Sequence, residues 1–413
     1  MRLGADLPWI RHWPFTGAVL ALSLFGVAMI YSAGVKNIPS PVTEGIWIRQ
    51  GIVLLGSVLV LVVLSRIPSR WFQWMATPLY LLSLGVLAVT LVAGTGSGTA
   101  EGTSSFLTVA GFQFQPGEAA KITTALALAK LLARKAEGPE HLRDLLWPVA
   151  IVSAPLALVV LQPDLGTALA FVGIFFAAIF WAGTPWPTIL FAASPGISLI
   201  LSFNTWIWSA CFLLLVIGLY IYRYRLYLVE SLSVILANLA AGAIAQPLWN
   251  SLAQYQRNRI LVFLDPDIDP QGAGWQLVQS KVAVGSGGVL GKGFTLGTQK
   301  RLNFLPEQHT DFIFSVVGEE LGFLGTSLAL VFFGYLFFRM IRLAQTLDDP
   351  FSGIFVFAIL GVWLTHVVIN VGMTVGVVPI TGIPLPFISY GGSFLLMSWV
   401  AAGLIVGVAR EVR

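Results

Sequence analysis

Apolar runs of about 20 residues recur along this 413-residue chain, and they restrict its fold more than any other feature. Inside a bilayer no water satisfies a backbone N–H or C=O, so a chain crosses it as helices or as a closed barrel. A crossing strand needs only about 9–11 residues, so runs near 20 select the helix. About twelve spans are predicted: 15–33, 46–65, 71–93, 117–134, 147–162, 164–183, 187–203, 205–222, 228–250, 312–338, 352–375 and 390–409. The fifth and sixth are parted only by Gln162-Pro163-Asp164, and the seventh and eighth only by Asn204. The chain is 57% hydrophobic and 10% charged, against roughly 25% charged in soluble domains. These features exclude a soluble enzyme and predict an all-α polytopic membrane protein. The first run, Phe15–Ala33, is too long for a typical signal-peptide core and is read as a retained span. Cys211 is the only cysteine, so no disulfide forms within one chain. The net charge of +4 is small, and no nucleic-acid partner is expected.

The positive-inside rule orients the spans. With the N-terminus in the cytoplasm, the inner segments carry Arg2, Arg66, Arg70, Arg134, Lys135, Arg143, Arg223, Arg225, Arg339, Arg342 and Arg410, among others. The short outer loops carry only Lys36 and Arg49. Both termini are therefore expected inside. Nine spans precede the long segment 251–312, which places it outside. A second outer segment, 94–115, is rich in Gly, Ser and Thr and reads as a flexible loop.

Chemistry concentrates in the polar stretch Gln254–Gly325, which holds six Lys and Arg residues. Two familiar motifs fail there. Asp265, Asp267 and Asp269 alternate like the start of a calcium loop, but Pro270 stands where the turn glycine belongs and Gln276 where the final Glu belongs. The run around Gly291-Lys292-Gly293 lacks both the first glycine and the Ser/Thr of a nucleotide phosphate loop, so no nucleotide is expected. What remains is a carboxylate beside the turn Asp269-Pro270-Gln271-Gly272-Ala273-Gly274. Such a carboxylate acts as a general base, or it is a solvated loop charge. Around it lie Arg257, Arg259, Lys281, Lys292, Lys300 and Arg301, suited to a phosphorylated group or simply to water.

Other polar residues sit at or inside spans. Glu307, His309, Thr310 and Asp311 crowd ahead of the tenth span, and Glu319 and Glu320 follow within it. Charges at membrane depth are costly and point to function. Glu118 and Lys121 share one helix face as a structural pair or as the lining of an outward cavity. Asp164 suits an N-cap of the sixth span. His366 and Asn370 are spaced for an interhelical contact. Thr381–Phe387 and Ser389–Ser393 form an irregular outer turn before a glycine-lined helix start, whose N–H groups suit an anion or sugar, or allow close packing.

Five segments together resemble one family. They are QPGEAAK (115–121), QPDLGTA (162–168), DPQGAGWQLVQSKVAVGSGG (269–288), FLPEQHTDFIFSVVGEELG (304–322) and TGIPLPFISYGGS (381–393). In this order they are similar to the SEDS family of membrane glycosyltransferases, which polymerise lipid II into peptidoglycan. The run 291–299 looks more like the elongation branch, RodA, than the division branch, FtsW. Two departures stand out. Gly117 replaces a common Ser, and the family usually has ten spans. The excess falls in 187–250, which reads as two extra helices within a single membrane domain, 1–413.

The resemblance implies that the large extracytoplasmic loop carries the active site, with Asp269 as the catalytic carboxylate. It places Glu118 and Lys121 in an outward cavity and Glu307, His309, Thr310 and Asp311 in a second motif; together with Asp164, Lys281, Lys292, Arg301, Ser389 and Ser393, read from their own chemistry, these are the expected substrate contacts. It implies inverting transfer to β-1,4 linkages with release of undecaprenyl diphosphate, in a bacterial cytoplasmic membrane. Mg²⁺ or Mn²⁺ and a class B penicillin-binding protein are implied companions, although no metal ligands stand out. A lipid II flippase is the rival reading. A transporter places its polar groups at the midplane, whereas here they gather on one outer loop.

Overall fold

In the computed structural model the described residues are 8–36, 45–96, 104–109, 112–134, 138–222, 227–302, 304–305 and 307–410. A helix lies within each of the twelve predicted stretches. They are α1 (Trp13–Gly34), α2 (Ile46–Leu64), α3 (Ser69–Ala93), α4 (Pro116–Leu132), α5 (Leu146–Leu161), α6 (Leu165–Trp181), α7 (Trp186–Leu201), α8 (Thr205–Ile221) and α9 (Leu228–Ser251), then α12 (Ile313–Gln345), α13 (Pro350–Val375) and α14 (Gly392–Ala409). Eight segments of this set are long and apolar enough to cross a membrane, and α6, α7 and α8 are shorter apolar helices. Helix α4 is short as well, and carries Glu118, Lys121 and Lys130. The protein is a polytopic all-α membrane protein.

Two weak boundaries resolve by capping. Asp164 accepts from Thr167 N at 2.9 Å and starts α6. Asn204 accepts from Ile207 N at 3.2 Å and starts α8. Both side chains satisfy an N–H that the first helical turn leaves open. The basic turn read at Arg223 and Arg225 lies outside the described residues, as do Arg2, Lys135 and 97–103.

Helices pack through small residues. A Cβ on Gly361 of α13 would lie 2.6 Å from Gly173 O of α6, so the two backbones touch. The turn 387–388 passes equally close to α1, because a Cβ on Gly26 would lie 2.6 Å from Ile388 Cα. Helices α7, α8 and α9 stand beside the main core with a small core of their own, Phe191, Leu219 and Val234. Polar contacts hold this trio together inside the apolar region. Asn238 donates to Ser194 at 2.8 Å and Trp208 to Ser198 at 3.0 Å.

The long outer segment is not a loop in the ordinary sense. It contains α10 (Gln254–Leu264) and α11 (Ala273–Ser286), and their cluster of Val262, Leu277, Ala283, Leu305 and Phe312 reaches Met373 and Ile380. A rich polar composition hid these helices from a hydropathy reading. The other outer segment is also more ordered than expected. Strands β1 (Leu107–Val109) and β2 (Phe112–Phe114) pair antiparallel, with Leu107 opposite Phe114.

Helix α12 is broken at Gly322, where φ is 64° and ψ is −160°. The glycine-rich run that failed as a phosphate loop lies along this break and satisfies it. Phe323 N donates to Gly288 O at 2.9 Å, Leu324 N to Val289 O at 3.1 Å, and Lys292 N to Glu319 O at 3.0 Å. A Cβ on Gly322 would lie 2.6 Å from Val289 O, so glycine is needed for both its backbone angle and its contact. Glu319 and Glu320, just before the break, anchor the same strap. Glu319 accepts from Lys292 at 2.7 Å, Thr298 N at 2.7 Å and Gln299 N at 3.0 Å. Glu320 pairs with Lys300 and accepts from Ser32 at 2.5 Å, and Lys300 donates to Ser32 O at 2.6 Å.

Lys300 and Glu320 are both 0% exposed. Removing one member of such a pair strands a buried charge, at a cost of about 3–5 kcal/mol, whereas replacing both with apolar groups costs little. Lys300→Met or Glu320→Gln alone is therefore expected to lower the unfolding temperature more than the double variant Lys300→Met/Glu320→Leu does. Thermal unfolding in detergent checks this, and additive losses would refute it.

Candidate active site

The N-terminal ends of α4 and α6 and the C-terminal half of α13 meet α10, the 307–312 segment and the 381–390 turn in one polar cluster. Its floor is a buried trio. Lys121 Nζ lies 2.8 Å from Glu118 and 2.9 Å from His366 Nε2. His366 Nδ1 is 3.0 Å from Pro384 O. A carbonyl only accepts, so Nδ1 carries the hydrogen and Nε2 offers its lone pair to Lys121. Thus His366 spans α13, the outer turn and α4. Glu118 Oε2 also lies 2.8 Å from Lys121 Nζ, and the ammonium stands over the Phe394 ring at 5.6 Å.

Asp164 is both a cap and a tie. Its carboxylate also accepts from Thr167 Oγ1 and from Gln115 Nε2, each at 2.9 Å. Residues 307–311 form the opposite wall. Glu307 takes a left-handed φ of 52°, unusual for a side-chain-bearing residue. Its Oε2 accepts from Thr310 Oγ1 at 3.1 Å. His309 Nδ1 is buried with no partner among the described residues, and burial, the leading cause, pulls the imidazole below its usual range. Ser389 stitches the walls together, accepting from Leu385 N at 2.8 Å and donating to Thr310 O at 2.6 Å. Ser393 is buried in the first turn of α14.

Asp311 is the perturbed group of the cluster. Enclosure by protein, then Glu307 and Asp164, push its carboxyl up to about 7, while Arg259 on α10 pulls the other way. Arg259 lies over the Tyr255 ring at 5.9 Å. The Tyr255 hydroxyl is buried without a hydrogen-bond partner. Arg259 had been one basic residue among six, and Tyr255 carried no sequence signal. Their i,i+4 spacing becomes informative only once α10 is known to be a helix.

Asp269 stands at the corner between α10 and α11. Its Oδ1 accepts from Gly272 N and its Oδ2 from Ala273 N, each at 3.1 Å. The two glycines of the motif make this geometry possible. A Cβ on Gly272 would lie 2.7 Å from Asp269 Oδ1, and one on Gly274 would lie 2.5 Å from Asp269 O. With two N–H groups engaged, the carboxylate keeps lone pairs for a substrate.

Three predicted cations lie elsewhere. Lys292 and Arg301 belong to the strap, bonded to Glu319 and, at 3.1 Å, to Thr295 O. Lys281 lies against Gly376, at the C-terminal end of α13. Among the described residues no three His, Cys, Asp or Glu side chains converge as metal ligands. The described residues build no cation cage.

Comparison with known proteins follows the whole chain. A family model described as cell cycle protein, covering FtsW, RodA and SpoVE, matches residues 13–232 and 209–413. The chain is 32% identical over 393 residues to peptidoglycan glycosyltransferase MrdB of Escherichia coli K12, covering 94% of this chain and 91% of that protein. It is 31% identical over 431 residues to peptidoglycan glycosyltransferase RodA of Treponema pallidum, covering 95% and 96%. Probable peptidoglycan glycosyltransferase FtsW of Geobacter metallireducens is 34% identical over 397 residues, covering 95% and 93%. A solved chain from a peptidoglycan synthase complex coordinating polymerization and crosslinking superimposes with a TM-score of 0.70 at 32% identity, covering 97% and 98%. Rod shape determining protein RodA of Thermus thermophilus gives a TM-score of 0.63 at 26% identity, covering 97% of each chain.

A carboxyl raised to about 7 from near 3.8 carries a pH signature. The fold disfavours its ionised form, so its contribution is fully present below pH 3.8 and lost as pH rises through 7. Asp311→Asn is therefore expected to stabilise the protein at pH 8, by on the order of 1–3 kcal/mol, and far less at pH 5. Unfolding temperatures at the two pH values check this, and an equal shift at both would refute it.

Proposed function

The chain belongs to the FtsW/RodA/SpoVE family of cell cycle proteins, and on that premise we propose that it is a peptidoglycan glycosyltransferase that polymerises lipid II. The observation that carries this reading is near full-length similarity to proteins of that activity. The placement of polar groups supports it, since they gather under one folded outer segment. The elongation-type relatives support a role in cell elongation and shape.

In this proposal the 4-hydroxyl of an acceptor sugar attacks the anomeric carbon of a donor held by its α-diphosphate. The new C–O bond is β, the C–O bond to diphosphate breaks, and undecaprenyl diphosphate leaves with the electron pair. Direct displacement inverts the centre and needs one carboxylate and no covalent enzyme intermediate. Asp269 is the proposed carboxylate, taking the hydroxyl proton or orienting it. Lys121, held by Glu118 and His366, is the proposed positive charge nearest the leaving diphosphate.

An apolar groove is the proposed place of the lipid tail. It measures about 640 Å³ and runs between α2, α3, α4 and α14. Its wall includes Ala119, Ile122 and Thr123, which alternate along α4 with Glu118 and Lys121. The proposed location is the bacterial cytoplasmic membrane, with the α10–α11 segment outside. A class B penicillin-binding protein is the proposed partner, in line with the crosslinking complex among the structural relatives. Residues 187–250 are read as two helices added to a ten-span plan, and the two family matches overlap within them at 209–232.

Lipid II supplied to the purified protein in proteoliposomes tests the function. Wild type is expected to make glycan strands, and Asp269→Ala none while still folding. Gly272→Ala presses on the same carboxylate, and is expected to cut kcat by about 10–100-fold with stability largely kept. Normal polymerisation by Asp269→Ala removes its catalytic role. Lipid II scrambling by wild type without polymer favours a flippase instead.

A further inference from the structure

The strap along the break in α12 is folded inside out for a segment surrounded by water. Its charged groups turn inward, Lys292 to Glu319 at 2.7 Å and Lys300 to Glu320 and Ser32 O. Its apolar side chains turn outward. Val289 is 63% exposed and Leu290 76%, and Phe294 and Leu296 are exposed beside them. Phe323 and Leu324, which follow the break, are exposed as well. Water-facing surfaces place charge outward, and a contiguous apolar patch marks a covered surface. The strap backbone is also satisfied by protein. Lys292 N and Gly293 N donate to Glu319 O and Glu320 O, each at 3.0 Å, and Thr295 N donates to Glu320 Oε2 at 3.2 Å. Irregular backbone is tolerated at membrane depth only when protein satisfies it in this way.

Two helices give the depth of this patch. Along α1, Tyr31 stands 18 positions after Trp13, and both rings are exposed. That rise is about 27 Å, close to the roughly 30 Å of a hydrocarbon core with an aromatic at each edge. Phe294 stacks on Tyr31 with centroids 6.4 Å apart, and Tyr31 meets Trp47 of α2 edge-on at 5.5 Å. Along α12, Phe323 stands 16 positions before Arg339, a rise of about 24 Å. Phe323 and Leu324 donate their N–H groups to Gly288 O and Val289 O, so the strap shares their level. Both helices place the patch at the edge of the hydrocarbon, on the side of α10 and α11.

We propose that the strap is a membrane wedge, with Val289, Leu290, Phe294 and Leu296 seated among the acyl chains of the leaflet next to α10 and α11. The patch is continuous with the lipid-facing start of α12 and with the aromatic pair Tyr31 and Trp47, and this continuity makes lipid its occupant. The inward ion pairs hold the wedge to α1 and α12. Helix α11 ends at Ser286, where the strap begins, and Asp269 caps the opposite end of that helix. The wedge therefore fixes the height of Asp269 over the headgroups, the level of the diphosphate in a lipid-linked substrate. That positioning role rests on the glycosyltransferase reading, whereas the insertion rests on the fold alone.

Nitroxide labels on the full chain in proteoliposomes test the depth. Cys211 is the only cysteine, so a Cys211→Ser background accepts one label at a time through Leu290→Cys or Phe294→Cys. Leu328→Cys, exposed on α12, is the lipid reference, and Gln271→Cys, exposed beside the Asp269 turn, is the water reference. Labels at 290 and 294 are expected to meet dissolved oxygen about threefold more readily than a water-soluble nickel chelate, as at 328, with the reverse at 271. Labels that favour the nickel chelate overturn the wedge. Labels shielded from both reagents show a protein contact and overturn it too. If Phe294→Cys fails to fold, Val289→Cys takes its place. For the positioning role, Val289→Asp/Leu290→Asp is expected to lower kcat/KM for lipid II by about 5–10-fold, and Val289→Ser/Leu290→Ser by less. Unchanged polymerisation by the Asp pair, or by the Ser pair if the Asp pair does not fold, overturns that role. Absence of polymerisation by wild type overturns the enzyme reading instead, and leaves the labels to decide the insertion.

Discussion

Two adjacent carboxylates, Glu319 and Glu320, hold the outer segment to the membrane bundle. They sit where α12 breaks at Gly322, and one glycine-rich strap satisfies the break and supplies their cations. Each part needs the others. A buried carboxylate without Lys292 or Lys300 is costly. A helix break inside protein needs partners for its freed backbone groups. The strap needs glycines at 288 and 291 to turn with positive φ. Because Lys300 also grips Ser32 of α1, the outer segment is fixed to the first helix as well as to α12.

On this frame the polar cluster is assembled from parts remote in sequence. Asp164 caps a helix, Glu118 balances Lys121, and His366 bridges to the outer turn. Enclosure by protein, reinforced by Glu307 and Asp164, pushes the Asp311 carboxyl up to about 7.

The twelve helices were legible in the chain because lipid imposes a one-dimensional rule on length and polarity. Asp269 was legible through its turn, since Pro270, Gly272 and Gly274 announce a special backbone. Helices α10 and α11 were not legible. Their stability comes from a small cluster shared with Met373 and Ile380, far away in sequence. For the same reason Lys292 and Arg301 looked like substrate ligands, whereas their partners are strap and helix atoms.

The sequence by itself determined that the chain spans a membrane many times, that its chemistry gathers in Gln254–Gly325 and nearby turns, and which family its motifs resemble. Those properties follow from local composition and from residues close together in the chain. Only the tertiary structure decided which charges meet and what each is spent on. Arg259 and Asp311 are 52 positions apart, and the guanidinium acts on the enclosed carboxyl because α10 and the 307–312 segment converge. Charge pairing depends on distance in space, and hydropathy along the chain carries no record of it.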